Sequence, residues 1–183
     1  MKTNRSDDAG AATTADQTVD ALARLAGAVA SLSSSDAIWT EADHVLNDVI
    51  GHRLFTVLAY SGDSSLVTRV YSNQPIAYPV SGTKAMGPTP WGQRLLVQGQ
   101  PYIGHSADDI RWAFPDHELI LSLGLESTLN LPLRHRGRVL GTLNLLDAAD
   151  HYREAHLPAG LIAAALLGPV MQRWLSDAGM LTG

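Results

Sequence analysis

The chain has 183 residues, 45 % of them hydrophobic, with a formal net charge of −5 and no cysteine. That length suits one domain with one real core, and a mean hydropathy near zero suits a soluble globular chain rather than a disordered one. The charge balance calls for neither nucleic acid nor an anionic membrane surface. Without cysteine, disulfides, thiolate catalysis, Cys–zinc sites and iron–sulfur clusters are excluded.

Residues 1–14 are small and polar and read as a mobile tail. The domain is expected over 15–176, with a short tail at 177–183. "ALARLAGAVASL" resembles a signal core, but Arg24 interrupts it, and Asp7, Asp8, Asp16 and Asp20 precede it where a signal has positive charge. No stretch reaches the roughly 18–20 apolar residues of a membrane helix, so the cytoplasm is the expected location. From Thr18, Val19, Leu22, Leu25, Val29 and Leu32 recur at helical spacing. A second helix is expected near Asp36 to Ile50, with Ile38, Val45, Leu46 and Val49 inward and Gly51 ending it.

"RLFTVLAY" and "SLVTRVYS" read as two strands around the turn "SGDS". "NQPIAYPVSGTKAMGPTP" reads as a long loop, and such loops inside a domain are functional or loose. "WGQRLLVQGQ" reads as a short helix and "PYIGHS" as a brief strand. "ADDIRWAFPDHELILSLG" reads as a helix broken near Pro115 and ending at Gly124. "STLNLPLRHRGRVLGTLNLLDAAD" reads as a hairpin, with the basic residues Arg134, His135, Arg136 and Arg138 solvated in its turn. A last helix is expected from about Arg153 to Trp174, kinked at Pro169, with Leu157, Leu161, Ile162, Leu166, Val170 and Trp174 inward. The order predicts an α+β fold: an antiparallel sheet with the terminal helices on one face.

The run "LESTLNLPLRHRGRVLGTLNLLDAADHY", followed by an apolar helix, resembles the GAF domain family. Pro132, Gly137, Gly141 and Tyr152 match the family's strand–turn–strand pattern, and the resemblance covers roughly Val19 to Trp174. The related PAS order fits less well. The resemblance implies a five- or six-stranded antiparallel sheet. It implies that the terminal helices pack on one face and dimerise, and that the middle segment closes a pocket over the other. It also implies a small-molecule sensor, of the kind that binds cyclic nucleotides, tetrapyrroles, haem or small metabolites. A covalently attached bilin and free methionine sulfoxide reductase chemistry both need cysteines that this chain lacks. The cyclic-nucleotide motif of the family is missing as well. His105, His117 and His151 are available as haem ligands, and nothing selects one, so the cofactor stays unknown.

Why each hairpin strand carries an amide among leucines is the sharpest question here. If "HRG" forms a three-residue loop, Arg134 faces Arg138, Asn130 faces Thr142 and Thr128 faces Asn144. Those four polar residues then share the pocket face. Leu129, Leu131, Leu133, Val139, Leu143 and Leu145 share the helix face. A one-residue slip would destroy the arrangement. Either the amides hold the covering loop to the sheet or they touch a ligand. The candidate ligand-binding residues are Tyr71, Tyr78, Trp91, Trp112, Phe114, Asn130 and Asn144. Lys84 and Arg111 are candidates to meet a carboxylate or phosphate. Asp116 is expected to cap the helix at "PDHELI". "DAADHYREAH" reads as a charged helix start, and no metal site is expected.

The favoured function is a stand-alone binding module for a small polar or aromatic metabolite. The alternative is a small cofactor-independent enzyme using Lys84, Asp109 and His117 as acid–base groups, with Tyr78 in the same segment. The expected partners are the small molecule and a second copy of the chain bound through the terminal helices, with no nucleic acid and no membrane.

Overall fold

In a computed structural model of the protein, the backbone is described for residues 5–61, 66–80, 83–85 and 89–180, and the side chains for the same residues except 5–14 and 83–85. Helix α1 runs Arg5–Ser31 and α2 runs Ser35–Val49. The backbone is thus helical well before Thr18. The expected stripe on α1 is narrower than its spacing suggests: Leu22 and Leu25 are buried with Ala21, whereas Val19 and Leu32 are exposed. On α2, Ile38, Trp39, Ala42, Val45 and Leu46 face inward, and Gly51 follows with the positive φ of 84° that a helix C-terminus favours.

Strands β1 (Leu54–Ser61) and β2 (Leu66–Ser72) come next; most of the turn read as "SGDS" lies outside the described residues. The long loop is not wholly irregular, because Thr83–Ala85 forms β3 against β2. Thr89 caps a one-turn helix α3 (Pro90–Gly92), its hydroxyl accepting from the Gly92 N–H at 3.0 Å. The chain then winds as a π-helix over Gln93–Val97, where the Gln98 N–H reaches the Gln93 carbonyl five residues back. Strand β4 (Tyr102–Gly104), helix α4 (Ala107–Ala113) and helix α5 (His117–Ser122) complete the middle segment. The hairpin is β5 (Ser127–His135) and β6 (Arg138–Asp147). A short 3-10 turn, Glu154–His156, leads into α6 (Leu157–Asp177).

All strand pairs are antiparallel, in the six-stranded order β3-β2-β1-β6-β5-β4. Helices α1, α2 and α6 cover one face. There Leu25, Trp39 and Leu46 meet Phe55, Val57, Leu131 and Leu143 in one continuous core. By length and composition alone, the helical segment Glu154–Asp177 would also pass for a membrane span; here its small-residue face lies on the sheet.

That small-residue face corrects the expected orientation of α6. Of the residues expected inward, Val170 is buried, Leu157, Leu166 and Trp174 are partly buried, and Leu161 and Ile162 are 41 % and 49 % exposed. The inward face is instead Gly160, Ala163, Ala164, Leu167, Gly168 and Met171. Close approach is the reason. A Cβ on Gly160 would lie 2.6 Å from Leu131 Cδ1, and one on Gly168 would strike the Arg134 carbonyl. Larger side chains on this face would hold the helix off the sheet.

The two glycines Gly168 and Gly27 separate packing from propensity. Alanine is the better helix former at both, but at Gly27 it meets nothing within 4 Å, and at Gly168 it meets backbone. Gly27→Ala is expected to stabilise by about 0.5–1 kcal/mol. Gly168→Ala is expected to destabilise by roughly 1–3 kcal/mol. Urea denaturation of both variants checks the pair.

Candidate functional site

The hairpin register decides which side chains meet. Arg136 and Gly137 have φ of 49° and 80°, so the turn is two residues long with both centres left-handed. The three-residue loop expected from "HRG" does not form. A two-residue turn alone would move every facing pair by one residue. A bulge between Leu133 and Arg134 supplies one more, so the register differs from the expected one by two. Because side chains alternate with period two, the faces survive. Asn130 now stands opposite Asn144 rather than Thr142, and Thr128 opposite Leu146. The bulge also exchanges two neighbours: Leu140 joins the helix-side core and Val139 packs on the other face.

A polar row crosses the sheet on that other face. Tyr102 pairs with Asn130, Asn130 with Asn144, Asn144 with Thr56, and Thr56 with Ser72. Directly paired residues share a face. Two apolar clusters flank the row. One stands on Leu54 and Leu146 and holds Tyr78, Ile110 and Ile120. The other takes in Leu58 and Val67 with Trp91, Leu95 and Ala113. Phe114 packs against both clusters and so bridges the seam between them.

The amides are paired by the protein itself. The Trp91 indole N–H donates to Asn130 Oδ1 at 3.1 Å, Asn130 Nδ2 donates to Asn144 Oδ1 at 3.0 Å, and Asn144 Nδ2 donates to Thr142 Oγ1 at 3.1 Å. A longer contact of 3.4 Å reaches Thr56 Oγ1. An indole can only donate, so it fixes the orientation of Asn130 and, through it, of Asn144. Asn130 is fully buried, Asn144 is 3 % exposed and Trp91 is 3 % exposed, so these bonds form away from water and tie the cover to the sheet.

The other sequence candidates separate. Tyr78 and Phe114 belong to the covered face. Trp112 stacks on Tyr102 at 5.1 Å and is 48 % exposed, outside the seam. Burial and the nearby Asp109 charge push the Tyr102 hydroxyl up to about 12. Tyr71 is on the opposite face: it pairs with the core residue Val57, and its hydroxyl donates to Asp43 Oδ2 of α2 at 2.8 Å. Asp43 also lies 2.6 Å from His52 Nε2.

Asp109 closes a capping box at the start of α4, where Oδ2 accepts from His105 N, Ser106 N and Ser106 Oγ at 2.9, 3.0 and 2.9 Å. His117 Nδ1 lies 3.0 Å from the Phe114 carbonyl and donates to it. Lys84 sits in β3 opposite Val67, its side chain outside the described residues. Arg111 pairs with Asp108 one turn away at 2.6 Å. Asp116 stands at the N-cap of α5 but makes no capping hydrogen bond.

Two residues of the covered face were not singled out from sequence: Thr56 and Arg69. Each is a polar residue within an apolar strand, the same signal that drew attention to the two asparagines.

The sequence matches the GAF domain family over residues 11–168. This chain belongs to that family. The GAF fold is equally plain in solved structures. The GAF domain of an Acinetobacter phosphoenolpyruvate-protein phosphotransferase aligns with a TM-score of 0.69 at 16 % identity, covering 90 % of this chain and 96 % of that one. The corresponding domain from Coxiella burnetii gives 0.71 at 14 % identity, covering 91 % and 99 %. The free methionine-R-sulfoxide reductase of Neisseria meningitidis, solved with its substrate, gives 0.67 at 19 % identity, covering 87 % and 91 %. No curated protein matches the chain. GAF domains are in general small-molecule-binding or sensory modules.

Trp91→Phe would leave Asn130 Oδ1 buried without its donor. It is expected to cost roughly 1–3 kcal/mol, whereas the exposed Trp112→Phe should stay within about 0.5 kcal/mol of the parent; chemical denaturation compares them. Burial alone would raise the Asp109 carboxyl, but the hydrogen bonds from His105 and Ser106 outweigh it and hold it below the usual carboxylate range. Its stabilisation is therefore complete above that range and is lost as the pH falls through the depressed native value. Asp109→Asn should flatten the stability curve below about pH 4, read from denaturation midpoints across that range.

Proposed function

We propose that this chain is a sensory GAF module that takes up a small polar or aromatic metabolite in the seam on the covered face of its sheet. The observation that supports this reading is the polar row from Tyr102 to Ser72, lying between two apolar clusters. Such a seam offers apolar walls and a few convergent polar groups, the usual make-up of a small-molecule site. The two faces also differ in build. The helix side carries helices of 27, 15 and 21 residues, whereas the helices of the cover have 3, 5, 7 and 6. Short elements with few contacts open at lower cost than long packed helices. Uptake therefore works by local opening of the cover, with Trp91 leaving Asn130 or the ligand lodging beside it.

Turnover by Lys84, Asp109 and His117 is the alternative, and no separate observation favours it. Asp109 and His117 are both tied to local backbone. The proposal includes a cytoplasmic homodimer joined through the terminal helices. The exposed Val19 of α1, Leu32 just after it, and Leu161 and Ile162 of α6 support it.

Native mass spectrometry against the denatured mass tests both parts, followed by thermal-shift screening of metabolite pools. A ligand at a hundred times its Kd should add roughly 2.7 kcal/mol and slow hydrogen exchange in 90–124. The reading is overturned if no pool raises Tm and the cover exchanges as slowly as β5 and β6. A mass of one chain at micromolar concentration removes the dimer.

A further inference from the structure

Two buried donors on the covered face lack hydrogen-bond partners of ordinary geometry among the described residues. Tyr78 is 4 % exposed, and among the described residues its hydroxyl makes no hydrogen bond of ordinary geometry, although the Asp116 carboxylate faces it. The buried Nε of Arg69 makes none either. They stand together: the Arg69 guanidinium lies over the Tyr78 ring, 4.8 Å from its centroid. Arg69 is the neighbour of Ser72 along the covered face of β2, since Ser72 pairs with Thr56 and Arg69 with Leu58. The pair therefore closes the β2 end of the seam, away from Trp91. One guanidinium nitrogen, Nη1, is engaged on the Pro79 carbonyl at 3.2 Å, which anchors the side chain and leaves the Nε edge free.

A second charge, of opposite sign, faces them. Asp116 acts electrostatically on both Arg69 and Tyr78, yet it forms no ion pair with Arg69 within 4 Å among the described residues. It is also free of the capping bond expected of it. Its neighbours Phe114 and Ile120 pack in the same cluster as Tyr78. The seam thus ends in an anchored guanidinium, a carboxylate and a buried hydroxyl without a hydrogen bond of ordinary geometry.

Each unpaired buried donor costs free energy that a matching acceptor recovers. A guanidinium edge beside a hydroxyl suits a carboxylate. A simple anion would also meet the repulsion of Asp116. A ligand that carries its own cation a few bonds from its carboxylate meets attraction at both ends. We infer that the seam binds a small zwitterion of the α-amino-acid class, its carboxylate on Arg69 and Tyr78, its ammonium on Asp116, and its side chain between the two apolar clusters. This inference rests on the reading of the seam as a ligand site and names the ligand class.

The test is calorimetric titration of the full chain with the twenty common α-amino acids, and for each binder its des-amino acid and its decarboxylated amine. At least one amino acid is expected to bind. Loss of either charged group from the ligand is expected to weaken it roughly 10- to 100-fold, the worth of one charge-assisted hydrogen bond. Arg69→Lys and Asp116→Asn should weaken it by similar factors. Tyr78→Phe should weaken binding while leaving the Tm of the ligand-free protein unchanged or higher, because the hydroxyl makes no hydrogen bond of ordinary geometry among the described residues. A fall in that Tm would show the hydroxyl to be structurally bonded and overturn the site. A metabolite that binds the covered face without either charge, and is indifferent to Arg69→Lys and Asp116→Asn, overturns the zwitterion but leaves the small-molecule reading standing. Absence of any binding, by amino acids or by metabolite pools, overturns both.

Discussion

A buried amide must be paired, and in this protein the pairing of Asn130 with Asn144 depends on the register of one hairpin. The left-handed turn at Arg136 and Gly137 and the bulge at Leu133 each shift the strands by one residue. Only together do they keep the leucines against the helices and the amides on the far side. Trp91 then finds its acceptor, and the short elements of the cover settle on the sheet through that bond and the two apolar clusters around it. A slip of one residue would bury the asparagines under α6 and expose the leucines to the cover.

The two faces solve the packing problem differently. On the helix side the sheet is met by glycines and alanines of α6, so the approach is close and the leucines of β5 and β6 supply most of the bulk. On the covered side the bulk comes from the cover, through Trp91, Phe114, Tyr78 and Ile110, and the sheet supplies polar groups as well. A close, dry face gives rigidity. A face that mixes apolar walls with oriented donors gives a place where a ligand can be recognised.

Much of this was legible in the chain. Strand and helix order followed from periodicity and from glycines such as Gly51 and Gly124, both of positive φ. The polar side of the hairpin followed from alternation, even though the turn was read one residue too long. Other features depend on tertiary distance, which a sequence does not display. The leucines of α6 suggested the wrong inward face because small residues, not large ones, mark a close contact. Tyr71 was grouped with the cover, but its strand position opposite Val57 turns it toward Asp43. Arg69 and Thr56 show the same polar-in-apolar signal as the asparagines, but the facing residues that mark their side of the sheet, Leu58 and Asn144, lie on other strands. The capping expected of Asp116 was sound by position, but its carboxylate makes no capping hydrogen bond and faces Arg69 and Tyr78 instead.

The π-helical stretch after α3 has a consequence for how tightly the cover is specified. Wider winding brings Leu95 and Leu96, four and five residues after Trp91, onto the buried side together, and leaves Val97 65 % exposed. In a regular α-helix the residue five places on turns away from the first. The count of residues between Trp91 and Leu96 therefore acts as a gauge. Deleting one of Gly92, Gln93 or Arg94 would put the leucines three and four places after Trp91, where regular α winding turns both inward, so the wider turn absorbs one residue more than α geometry needs. The wide turn lets the cover carry that extra residue without turning either leucine out to water.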